Sequence, residues 1–251
     1  MSLNLKVRFL QTICHLMSIV GFYYMDLTWL AVTLISWFVL GHMCTIITLH
    51  RLLTHRSFKT YKWLENTLIW LSTYSTVGPT ISWVALHRMH HANSDKQNDP
   101  HTPYGKTEFK WFKAFKVFVG YDWNIPNIPI KYVKDLMREK IHRFIFENYF
   151  KIIFSTLLVL LLINPWLVLY MYCIPVTLTV LSIGFVNVLG HGHGYRNHDT
   201  DDRSTNSWIA SLVTLGEGWH NNHHAHPTRY TTRERWFEFD LNGLIIKIIK
   251  T

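Results

Sequence analysis

The sequence predicts an all-α membrane protein: four transmembrane helices arranged as two hairpins, carrying a cytosolic helical cap with a His-rich di-metal site. Three observations predict it. From Phe9 to His50 the only charged residue is Asp26, and from Ile152 to Tyr195 there is none. All 25 Lys and Arg lie outside these two windows. The chain also holds 16 His, most of them in clusters that fall just beyond the windows.

Each window is about twice the ~20 residues a helix needs to cross a bilayer, and each has a break near its middle. "YYMD" interrupts the first at 23–26 and "INP" the second at 163–165. The expected spans are therefore 9–24 with 27–49 and 145–163 with 166–189. Charged residues are 16% of the chain, against roughly 25% in soluble proteins. Two windows almost without charge are hard to reconcile with the amphipathic helices of a soluble bundle. At 251 residues the chain suits one integral-membrane domain, 1–251, with the cap at 50–144 and 190–251.

Two hairpins return the chain to the side it left. Every basic residue then lies on one face with both termini, which the positive-inside rule makes cytoplasmic. The net charge of +9 follows from this topology and from attraction to anionic head groups, so no nucleic-acid partner is expected. "GFYYMD" is a poor cleavage site, and the first apolar run is expected to be retained. Cys14, Cys44 and Cys173 all fall inside expected spans without CxxC pairing, and read as small packing residues. Residues 63–86 are apolar but carry Glu65, Gly78 and Pro79, and are expected to pack under the cap or dip into the interface. "EFKWFKAFKVF" at 108–118 alternates Lys with aromatics, as an interfacial helix or a solvated face of the cap would.

The topology delivers four histidine clusters to one side: His50 and His55, then His87, His90 and His91, then His191 and His193, then His220, His223 and His224. In HxxHH on a helix the first His shares a face with the third and fourth residues after it, so three imidazoles converge. HxxxxH fits no single face of a regular helix, since five residues turn through about 140°. That pair is expected to straddle a helix end or to serve different metals. Eight imidazoles with a ninth from His191 or His193 exceed what one metal holds and suit two, and neutral imidazole accepts Fe, Cu, Zn or Ni. A zinc hydrolase would need only three protein ligands and a Glu base. A metal transporter would want polar ligands within the spans, which hold only His15, His42 and, at the turn, Asp26.

"HRLLTHRSFK" at 50–59, "WVALHRMHHANSDKQNDPHTP" at 83–103 and "GEGWHNNHHAHP" at 216–227 resemble the three histidine boxes of membrane fatty-acyl desaturases. The branch is the stearoyl-CoA Δ9 desaturase-like one, closest to the bacterial and cyanobacterial Δ9 acyl desaturases. The resemblance implies an O2-dependent enzyme with two ferrous ions that introduces a cis double bond, at Δ9, into a saturated fatty-acyl chain. It makes His50, His55, His87, His90, His91, His220, His223 and His224 iron ligands. The pattern Asn-x-x-x-His, met here by "NVLGH", adds His191 rather than His193 as the ninth and gives Asn187 a metal-bound water. Trp83 resembles a residue lining the acyl tunnel, the alternative being an interface anchor. His15, His42, His101, His142, His198 and His226 have no counterpart role.

The resemblance leaves the carrier as lipid, CoA or acyl carrier protein. In the animal acyl-CoA enzymes an Arg-Asp pair before the second box contacts the head group; here Ala85 and Leu86 stand there, which favours an acyl-lipid. No haem domain follows in the 27 residues after His224, so electrons are expected from an external donor such as ferredoxin or cytochrome b5. Arg196, Arg203, Arg229 and Arg233 are candidates for its landing surface. Asp95, Asp99, Glu217, Asn221 and Asn222 are candidate partners for the imidazoles, or turn and cap residues. A lipid hydroxylase of the same His-box class is the alternative activity, and a non-enzymatic metal-binding protein a weaker one.

Overall fold

The computed structural model describes residues 2–104, 108–121 and 129–251; the parts of the expected cap at 105–107 and 122–128 lie outside them. Its named elements are helices, and among the described residues only isolated bridges, such as those tying Asn206 to Tyr195 and Trp219, resemble strand pairing. Four helices are long and apolar enough to cross a membrane: α1 (Leu3–Tyr23), α2 (Leu27–Thr54), α6 (Lys140–Ile163) and α7 (Pro165–Leu189). Between and after them lie α3 (Lys62–Ser72), α4 (Thr80–Asn93), α5 (Trp111–Phe118), α8 (Trp208–Thr214), α9 (His220–Ala225) and α10 (Leu241–Ile249).

Both expected breaks are capped turns. Asp26 Oδ1 accepts the Trp29 N–H at 2.8 Å to start α2, and Asn164 Oδ1 accepts the Trp166 N–H at 3.0 Å to start α7, with Pro165 at the first helical position. The helices run further into polar sequence than expected: α1 begins at Leu3, α2 continues to Thr54 and α6 begins at Lys140. Absence of charge marks where an apolar solvent could surround a helix, whereas backbone hydrogen bonding carries on past it.

From Phe38 to Thr54, α2 is wound as a π-helix. Thr45, Thr48 and Thr54 each donate their hydroxyl to the carbonyl five residues earlier, at 2.8, 2.7 and 2.8 Å, and His55 N–H reaches His50 O at 3.2 Å. This i→i+5 ladder is absent from the regular-helix expectation, and it decides where His55 points.

The helix α7 is the centre of the apolar bundle. Two thirds of its apolar window is buried against 17% for α6, and both α1 and α2 pack along it. The outer faces of α1 and α6 expose Phe9, Ile19, Phe154 and Leu162, the composition that lipid contact requires. Cys14, Cys44 and Cys173 are free and buried, as expected. Residues 63–86 form α3, then a turn with Thr76 and Gly78 at positive φ, then the start of α4. Both helices pack on α2. Helix α5 exposes Trp111, Phe112 and Phe115 and lies so close to α7 that a Cβ on Gly184 would fall 2.2 Å from Phe118 O.

Candidate metal centre

Four segments meet on one side of the bundle. The end of α2 brings His50 and His55, α4 brings His87, His90 and His91, the turn after α7 brings His191, and α9 brings His220, His223 and His224. Their ring nitrogens fall into two groups. His50, His55, His87, His91 and His223 form one and His90, His191, His220 and His224 the other, with ligand atoms inside each group within 4.8 Å of one another. In the first, Nε2–Nε2 separations are 3.0 Å for His50–His223, 3.1 Å for His223–His91 and 3.2 Å for His91–His87. In the second they are 3.1 Å for His220–His191 and 3.0 Å for His224–His220. The groups are neighbours, since the rings of His91 and His224 stack at 4.4 Å.

Each HxxHH box therefore serves both groups. The i, i+4 pairs, His87 with His91 and His220 with His224, stay together, while His90 and His223 go to the other group. The expectation that HxxxxH would divide between metals or straddle a helix end meets a mixed outcome. His55 does cap α2, but the i→i+5 winding returns it to the face of His50, with the two rings 4.8 Å apart.

Carboxylates set the orientation of four rings. Glu217 Oε2 is 3.1 Å from His50 Nδ1, Asp99 Oδ1 is 2.9 Å from His90 Nδ1, Asp95 Oδ2 is 2.7 Å from His191 Nδ1, and Asp202 Oδ2 is 2.5 Å from His224 Nδ1. A carboxylate accepts the Nδ1–H, which leaves the Nε2 lone pair directed inward. Lone pairs converging at about 3 Å repel unless a cation lies among them. Among the described residues, the buried Nε2 atoms of His55 and His90 have no hydrogen-bond partner. The donor set thus fits metal ions.

The electrostatics agree. Burial, reinforced by neighbouring rings, pushes His55, His87, His91, His220 and His223 well below the ordinary imidazole value, and burial takes His224 down to about 4 despite Asp202. These rings are neutral at pH 7, the form that binds metal. His191 is the exception. Burial opposes its charge, but the hydrogen bond and charge of Asp95 outweigh it and raise the ring's value. Arg51 and His50 hold Glu217 down to about 2 although burial opposes them.

Beside the groups lies a cleft whose apolar wall includes Ile46, Leu86, Ile183 and Val186, and whose lining also includes Thr45, His50, His87 and His220. Asn187 and Trp83 both face it. Trp83 is buried and stacks on His87 at 5.1 Å, so it anchors no interface. Ala85 is fully buried, and Leu86 forms part of the cleft wall.

The remaining predictions separate cleanly. His193 is exposed beside Phe109, outside both groups. Asp95, Asp99 and Glu217 touch imidazoles, whereas Asn221 and Asn222 bind loop groups, Asn221 the His198 carbonyl and Asn222 the Thr232 carbonyl. Arg196 folds onto the carbonyls of Thr200 and Asp202, Arg229 pairs with Glu234, Arg233 with the Trp236 carbonyl, and Arg203 stacks over Tyr104. His15, His42 and His142 each bond one polar group, Thr177, Asn242 and Thr80. His198 and His226 form a half-exposed cluster around Glu234.

Two features went unforeseen. Asp202, in the "DTDDR" loop, holds His224. Arg51 is fully buried between Glu217 and Asp240, donating to Asp240 Oδ2 at 3.0 Å and to the Tyr230 carbonyl at 2.6 Å. An acid-rich loop shortly before the last box was the available signal for the first. Nothing local signalled the second.

A helical apolar bundle with four helices able to cross a membrane, presenting two adjoining imidazole groups that could hold metal beside a largely apolar cleft, is the class of protein that the fold and site define. The sequence profile of the fatty acid desaturase family matches residues 27–234, and the chain belongs to that family. It is 31% identical over 241 residues to the sn-1 stearoyl-lipid 9-desaturase of Anabaena variabilis, covering 94% of this chain and 86% of the relative. It is 33% identical over 253 aligned positions to the sn-1 stearoyl-lipid 9-desaturase of Synechocystis sp. (97% and 76%), and 30% identical over 243 to the sn-2 palmitoyl-lipid 9-desaturase of Nostoc sp. (94% and 84%). The chain is accordingly a fatty-acid desaturase, an oxidoreductase.

Proposed function

We propose that this desaturase introduces a cis Δ9 double bond into a saturated acyl chain carried on a glycerolipid, using two iron ions, O2 and electrons from an external donor such as ferredoxin or cytochrome b5. The observation that carries the reading is the adjacency of the imidazole groups and the cleft, since His50, His87 and His220 belong to both. An unactivated CH2–CH2 offers no acidic proton, and an iron pair with O2 supplies the oxidising power to remove its two hydrogens. The chain's own part is positioning. His50, His55, His87, His91 and His223 would hold one iron, His90, His191, His220 and His224 the other, and Asn187 would hold a metal-bound water. Trp83, Leu86 and Val186 align two adjacent carbons and exclude bulk water.

The acyl-lipid carrier is supported by the relatives' names and by Ala85 and Leu86. A charge at either place would be buried, whereas a CoA phosphate calls for an exposed charge-assisted contact. The charge pattern supports two hairpins with both termini and the metal centre on the cytoplasmic side. Expression in a bacterium that lacks an aerobic desaturase, followed by analysis of its lipids, tests the reading. The expected result is a new cis-Δ9 monounsaturated chain on glycerolipid. Hydroxylated chains in its place would favour the hydroxylase. No new species, with iron bound and a working reductase, would overturn the proposal.

A further inference from the structure

One histidine beside the centre belongs to neither imidazole group. His101 is 4% exposed, lines the cleft, and among the described residues has no hydrogen-bond partner on either ring nitrogen. Its position is fixed from below. Asp99 Oδ1 accepts the His101 backbone N–H at 3.0 Å and at the same time holds His90 Nδ1 at 2.9 Å. The His101 ring thus sits 4.4 Å from that of His90 in one group and 6.2 Å from that of His87 in the other.

Apart from the two groups, the other buried histidines, His42 and His142, and the partly buried His15 each engage at least one polar partner. An imidazole with both nitrogens unpaired in an apolar wall is costly, and such a group persists where a ligand pairs it in the working state. Asp99 cannot be that partner, nor does it offer a third metal site with His101. Its oxygens are taken by His90 Nδ1 and by the N–H groups of Asp95 and His101. A saturated acyl chain offers no hydrogen bond at this depth, so the ligand is small and polar.

We propose that His101 is the protein's hydrogen-bonding contact to the small oxygen-bearing ligand of the metal pair, such as water or hydroxide. It acts from the cleft that Asn187 also lines. This rests on the two-iron reading above. His101 is therefore a contact residue for the reacting centre and not a tenth metal ligand.

The test uses the iron-loaded enzyme with azide as the small-anion probe, comparing wild type, His101→Leu and His101→Gln. Iron per chain is measured first. In His101→Leu the expected iron content is that of wild type. Azide affinity, read from its visible absorption on the iron, falls about tenfold, the size of one hydrogen bond. A larger share of the consumed reductant appears as hydrogen peroxide instead of unsaturated product. His101→Gln, which keeps an N–H donor, restores most of the azide affinity. Unchanged azide affinity and coupling in His101→Leu would overturn the proposal. Loss of iron from both variants would overturn it too, by making His101 a ligand. Absence of iron from the wild type would instead sink the two-iron reading, so the two failures are distinguishable.

Discussion

Asp202 Oδ2 lies 2.5 Å from His224 Nδ1, so a carboxylate in the loop after α7 fixes a ring on α9. The same carboxylate is held by the hydroxyls of Thr200 and Ser204 at 2.7 and 2.6 Å, which makes it a rigid support. Removing such a partner costs on the order of 10–100-fold in metal affinity. Asp202→Ala should show that loss in competition with a chelator, and Asp202→Asn, which can still accept the Nδ1–H, a smaller one. Wild-type affinity in both would remove Asp202 from the centre.

Arg51 holds the last box against α2 by bridging Glu217 and Asp240. Arg51→Ala would leave two buried carboxylates facing each other, a loss of about 3–5 kcal/mol when one partner of a buried pair is removed. The expected readout is a large drop in the thermal midpoint of the detergent-solubilised protein. Lys should rescue little, because one ammonium cannot reproduce the fork that reaches both acids and the Tyr230 carbonyl.

For protein stripped of metal, stability should depend on pH in a defined window. Burial takes His224 from 6.5 down to about 4, so between those values the unfolded chain binds the proton and the folded one does not. The ring's penalty is absent above about 6.5 and grows as pH falls towards 4, and His101, pushed to about 3, adds to it. Denaturant midpoints should fall steadily from pH 7 to pH 4. A flat profile would contradict the burial of these neutral rings.

Leu86 faces the cleft from α4, one residue before His87. Leu86→Trp should block the acyl chain while leaving the imidazoles untouched. Product yield should drop at least tenfold with iron per chain unchanged. Full activity would place the substrate elsewhere.

Much of this was legible in the sequence because it is local. The spans and their turns at Asp26 and Asn164 follow from where charge is missing, and the boxes from spacings of three and four. Their division was not legible. Whether His90 joins His87 or His191 depends on how α4 meets α9 and the end of α7, and His55 rejoins His50 only through an i→i+5 winding that no residue spacing announces. The support of the centre was hidden for the same reason. Arg51 meets Glu217 and Asp240 across 166 and 189 residues, and "DTDDR" reads as an ordinary polar loop until it folds over α9. His101 carried no signal beyond its place in "DPH".

The central claim is that five imidazoles build one iron site and four the other. Iron analysis with Mössbauer spectroscopy on the purified chain and on His223→Ala and His191→Ala tests it directly. The account predicts two iron ions per chain in the wild type as two distinct doublets, with His223→Ala depleting one doublet and His191→Ala the other. A single iron per chain in the wild type, or loss of the same doublet in both variants, would contradict it.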